Sequence, residues 1–181
     1  GEDQDIGAVG QEHGGFRHKV RQKIAGMSRV KRGFTIDSGA ADNVMPIGWI
    51  IGMAIGKSAG SIAGLMYVAA NGSKIPNVGQ TTVEFMSGDG TWAKWIFQLA
   101  AINKPLVSVS KLIETGHRVV FYDSGSFIEN KATGEKIEMK KERGVSVVDA
   151  YVKKMERVRM SKFSAGGGRQ AHSMNPHMKK R

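Results

Sequence analysis

Cysteine is absent from the 181 residues, and with it go disulfides, thiolate metal sites and cysteine nucleophiles. That absence leads us to expect an intracellular, reducing setting. Proline is scarce, with four residues against 24 glycines, a balance that favours tight turns and bulges over long helices. Residues 1–16 open on acidic side chains and contain no apolar segment, so no secretory signal is expected in them. There is no G-x-S-x-G elbow for a serine hydrolase, and the glycine run "SAGGGRQ" lacks the Gly-Lys-Ser/Thr ending of a phosphate-binding loop. His13 and His18, and His172 and His177, stand five apart near the two ends, a spacing that makes no ligand cluster. No metal or other cofactor is expected.

The charge is present but uneven. Residues 1–33 carry seven Lys/Arg against four Asp/Glu, residues 34–152 carry eleven of each, and residues 153–181 carry nine against one. Basicity therefore belongs to the ends, and a neutral middle carries the globular pattern. We expect a flexible segment over 1–30, one domain over 31–152, and a disordered basic tail over 153–181. Such a tail suits a weak nucleic-acid contact through phosphate neutralisation, although a solvated linker explains it as simply.

Gly48, Gly52, Gly56, Gly60 and Gly64 stand four apart, a GxxxG row that would line one face of a helix. Only residues 47–56 are cleanly apolar, short of the roughly 20 residues that a membrane span needs. Lys57 would add a further cost of about 3 kcal/mol near mid-bilayer. A glycine-rich loop or short helix within a water-soluble fold is the better expectation, with no membrane partner.

Elsewhere β patterns recur at close spacing, over residues 65–70, 81–85, 92–101, 117–122, 126–130, 135–141 and 145–152, with Gly, Asn and Asp between them. "VSVSKLIETG" (107–116) is the single short helix expected, capped by Ser108 or Ser110 and closed by Gly116. Trp49, Trp92 and Trp95 read as core or interface aromatics. The fold class is all-β.

Two segments repeat Asp-Ser-Gly: "FTIDSGA" (34–40) and "VFYDSGS" (120–126). An aspartic protease needs two carboxylates about 3 Å apart that share one proton. An apolar strand must deliver each acid, a hydroxyl must brace the loop, and glycine must permit close approach. Both segments meet most of these requirements, so context has to separate them. Asp37 is followed by a long β-rich stretch. Asp123 sits between two alternating runs, as in a hairpin turn. Asp37 is therefore the candidate, and Asp123 a turn residue.

The ordered set "FTIDSGAADNVM", "YVAANGSKIPNVGQ", "KPLVSVSKLIETGHRVVFYDSGSFIENKATGEKI" and "RGVSVVDAYV" resembles the retropepsin-like aspartic proteases of copia-type retrotransposon polyproteins, over about two thirds of the chain. The resemblance implies a small closed barrel that acts as a homodimer, each chain contributing one Asp. It implies that Asp37 is catalytic, that Ser38, Gly39 and Ala40 support its loop, and that Ala70, Asn71, Gly72, Ser73, Lys74 and Ile75 belong to a flap over a peptide substrate. The substrate would be the parent polyprotein, and the setting the cytoplasm or a retroelement particle. Ser108 stands where the family usually has glycine. The rival expectation is an inactive, dimeric module of the same shape that binds peptide or nucleic acid.

Overall fold

The computed structural model describes residues 16–154. A helical segment, α1 (16–24), leads into β1 (Met27–Arg29), and β2 (Phe34–Asp37) and β3 (Val44–Pro46) lie on either side of the first Asp-Ser-Gly turn. The glycine-rich stretch ends in α2 (Ala59–Ile62), followed by β4 (Met66–Val68), β5 (Lys74–Pro76), β6 (Gly79–Ser87) and β7 (Trp92–Ala100). β8 (Leu106–Ser108) runs straight into α3 (Val109–Glu114). β9 (His117–Val120), β10 (Ser126–Asn130), β11 (Lys136–Glu142), β12 (Val145–Val148) and β13 (Ala150–Lys153) complete the described chain.

Eleven strands form one sheet in the order β1-β13-β6-β7-β3-β8-β2-β12-β11-β10-β9, while β4 and β5 make a separate two-stranded hairpin. Alternation builds the longest pair: Val83 and Phe85 of β6, and Trp95, Phe97 and Leu99 of β7, all turn inward. Val152 near one end of the order and Ile128 near the other bury into the same cluster, so the sheet curls around one core. At its centre Phe34 meets Phe85 edge-on at 5.0 Å and Phe97 at 4.8 Å, and Phe85 meets Trp95 at 4.9 Å. Aromatic packing of this kind adds to the burial of the rings themselves.

Several expectations change. Three helical segments stand among the described residues: α3, α2 within the glycine-rich stretch where a loop or short helix was expected, and α1, which carries no apolar period long enough to announce it. Residues 107–108 are strand and not helix: Ser108 accepts a hydrogen bond from the Lys111 N–H and caps α3 from the end of β8. The sheet also begins inside 1–30, since β1 pairs with β13. Residues 155–181, most of the basic tail expected to make a weak nucleic-acid contact, lie outside the described residues, as do residues 1–15. The glycine row forms no continuous helix, because Gly48, Gly52 and Gly64 take φ of 71°, 80° and 70°. The stretch instead turns repeatedly, bridges to β6 through Gly56 and Gln80, and closes in the capped turn of α2. No helix among the described residues is long and apolar enough to cross a membrane.

The run 145–152 is likewise two strands, broken at Asp149, whose side chain is only 6% exposed. Burial pushes its carboxyl up, but hydrogen bonds from Lys140 and Arg29 outweigh this and hold its pKa below the ordinary value. A depressed pKa adds stability at neutral pH that is lost as pH falls through the folded-state value. Asp149→Asn should cost about 1–3 kcal/mol in urea unfolding at neutral pH, and the difference from wild type should shrink as the solution is acidified below about pH 4.

Candidate active site

Phe34 and Ile36 enter the core, so Thr35 and Asp37 alternate onto the other face of β2, and Asp37 ends the strand half-buried. The chain then turns through exposed Ser38 and Gly39 and half-buried Ala40 before returning as β3. The Gly39 N–H donates to Asp37 Oδ1 at 2.8 Å, which orients the carboxylate. A Cβ on Gly39 would stand 3.3 Å from that oxygen, so the loop has little room for a larger residue.

β8 lies between the two arms of this loop. It runs parallel to β2, with Ser108 opposite Asp37, and antiparallel to β3 at Val44 and Leu106. Asn43 locks the arrangement: its Oδ1 accepts from the Ser108 N–H at 2.9 Å and its Nδ2 donates to the Ile96 carbonyl at 3.1 Å. Ser108 is fully buried, so the place where the resemblance leads one to expect glycine holds a serine whose hydroxyl works as a helix cap. Sequence reasoning overlooked Asn43, whose partners lie 65 and 53 residues away. An amide before an apolar run was its one local sign.

The residues expected in a flap do form a hairpin. Lys74 and Ile75 belong to β5, which pairs with β4, and Asn71-Gly72 makes the tip, with Gly72 at φ 80°. Asn71 Oδ1 accepts from the backbone N–H of Ser73 at 3.0 Å and from its hydroxyl at 2.6 Å, stiffening the turn. Ala70 through Lys74 are exposed, and the hairpin shares no ladder with the large sheet. Two strands alone are marginally stable in water, so this element depends on the contacts at its base.

The base is tied to the Asp37 loop by residues that sequence reasoning also missed. Tyr67 donates its hydroxyl to Asp42 Oδ2 at 3.1 Å and accepts from Asn77 Nδ2 at 3.1 Å. Buried Asn77 also donates to Gln98 Oε1 at 2.8 Å and accepts from the Gly79 N–H at 3.0 Å. Lys111 of α3 approaches Asp42 Oδ1 at 3.6 Å. Burial and the Asp42 charge push the Tyr67 phenol up to about 12. Favouring the neutral phenol stabilises the fold below the ordinary value of 10.0, and this contribution is lost as pH rises from there towards 12. Tyr67→Phe should cost about 1 kcal/mol, remove that alkaline dependence of the melting temperature, and speed amide exchange over 66–76.

Asp123 is exposed in the loop that joins β9 and β10, where Ser126 bonds back to the Tyr122 backbone. It is a hairpin residue, and β12 and β11 lie between its hairpin and β2 in the sheet. Among the described residues no three His, Asp or Glu side chains are grouped as a metal site. The Asp37 loop thus offers one oriented, half-exposed carboxylate beside a jointed hairpin. Compared with family models, with curated proteins and with solved structures, the chain matches none of them.

Proposed function

We propose that the chain is an aspartic endopeptidase with a small, closed retropepsin-like barrel, acting as a homodimer on peptide bonds of a retroelement polyprotein. The observation that carries this reading is the seating of β8 between β2 and β3, which leaves Asp37 oriented at the end of an apolar strand. Asp42, the next carboxylate along the loop, is engaged by Tyr67 and Lys111, so the second acid comes from Asp37 of another copy.

Two such carboxylates share one proton, because both cannot ionise at close range. The ionised one takes a proton from a water as its oxygen attacks the scissile carbonyl carbon. The protonated one gives its proton to the carbonyl oxygen. In the tetrahedral intermediate, the carboxyl that took the water proton passes it to the amine nitrogen while its now ionised partner takes a hydroxyl proton, so the C–N bond breaks, the amine leaves and the pair again holds one proton. No covalent intermediate with the protein forms. Ser38 supplies the cross-dimer hydroxyl, Gly39 the close approach, and Ala40 the small residue behind them. The hairpin from Ala70 to Ile75 closes over an extended peptide held by backbone hydrogen bonds.

The test is cleavage of the chain itself and of a peptide library, from mildly acidic to neutral pH, with wild type, Asp37→Asn and Asp123→Asn. Loss of cleavage in Asp37→Asn alone is expected. A folded, dimeric wild type that cuts nothing would overturn the enzyme and leave a binding module of the same shape.

A further inference from the structure

Arg32 and Arg143 both hold left-handed backbone conformations, with φ of 64° and 49°. Each precedes a left-handed glycine, Gly33 at 57° and Gly144 at 82°. Arg143-Gly144 closes the β11–β12 hairpin, in which Glu142 faces Val145. Such two-residue turns favour Asn-Gly, since a bulkier residue in that conformation is strained by about 1–2 kcal/mol. Turn chemistry therefore does not account for either arginine, and tolerated strain of this kind gathers at functional sites.

Both arginines line one cleft of about 410 Å³. Half-buried Lys104 is its third cation and Glu142 its one carboxylate. None of the three cations forms an ion pair among the described residues. The inner wall is Thr35, Val145 and Val147. Val147 pairs with Thr35 in the ladder, and Thr35 shares its face of β2 with Asp37. The cleft therefore opens about 7 Å along the strand from Asp37, a distance that an extended peptide covers in two residues.

We propose that this cleft receives a Glu or Asp side chain of the peptide, two or three residues from the scissile bond. The proposal rests on the endopeptidase reading and names its substrate class. The aliphatic stem lies on Val145 and Val147, while the arginine forks and Lys104 take the carboxylate. The lining holds no aromatic ring on which a base could stack, which favours an acidic side chain over nucleic acid.

The test uses Arg32→Asn with Arg143→Asn, because asparagine suits both turns and removes both charges. A thermal melt at or above that of wild type, since both turns lose strain, checks the fold. Labelled peptides with an apolar centre and either Glu or Gln at the tested position are titrated onto Asp37→Asn protein, which binds without cutting. The Glu peptide should bind about tenfold tighter than the Gln peptide at low salt, and the preference should weaken with salt and vanish in the Arg double variant. Equal binding of the two peptides, or a preference that survives the double variant, overturns the proposal. A short RNA that binds in preference to the Glu peptide and is lost in the double variant also overturns it. Cleavage with Asp37 intact separates the two readings. Cutting without a Glu preference removes the acidic subsite and leaves the enzyme, whereas a Glu preference without any cutting keeps the acidic-peptide site and removes the enzyme.

Discussion

On the proposed endopeptidase reading, Asp37→Asn should lower peptide hydrolysis by about 10²–10⁴-fold, the range for removal of a positioned acid-base group. Asn is close in shape, can still accept from the Gly39 N–H, and sits at a half-exposed strand end, so the fold should melt within about 0.5 kcal/mol of wild type. Loss of activity without loss of stability is the signature that separates a catalytic acid from a structural one. Mixing sharpens the result. If wild-type and Asp37→Asn chains are combined in equal amounts and allowed to re-pair, random pairing leaves about a quarter of the dimers fully wild type. Activity per wild-type chain should then fall to about half. Activity that stays proportional to wild-type chain alone would mean that one Asp37 suffices, and the shared-proton chemistry would be wrong.

Phe34→Ala should unfold more easily by about 3–5 kcal/mol, as a urea titration would read it. Phe34 is fully buried, touches Phe85, Trp95 and Phe97, and lies in the strand that delivers Asp37. Its removal opens a cavity between rings held by strands from several parts of the sheet, which close around the gap only in part. Against a typical domain stability of about 5–15 kcal/mol, that loss leaves a marginal protein. Phe34→Leu keeps most of the volume and should recover more than half of the loss. A cost under about 1 kcal/mol for Phe34→Ala would show that the aromatic cluster is not the centre of the core.

The sequence by itself determined what depends on near neighbours. Alternation along 81–85 and 92–101 marks β6 and β7 because the side-chain period of a strand is visible within a few residues. The Asp123 turn and the Asn71-Gly72 tip were legible for the same reason, since turn chemistry acts over two to four residues. Asp37 and Asp123 matched alike locally, and Asp37 stood out by the long β-rich stretch that follows it.

Tertiary structure alone decided which strands meet. β8 enters between β2 and β3 from about 65 residues further along the chain, held there by Asn43. Asp149, at the break in what reads as one strand, is held by Arg29 of β1, 120 residues away, together with Lys140 of the neighbouring β11. Tyr67, Asp42 and Asn77 become one network only after the hairpin is seated on the Asp37 loop. Arg32 and Arg143 share a cleft for the same reason, although 110 residues of chain lie between the two arginines. Pairings over such separations depend on loop closure and burial of the whole chain, and no local window of sequence carries that information.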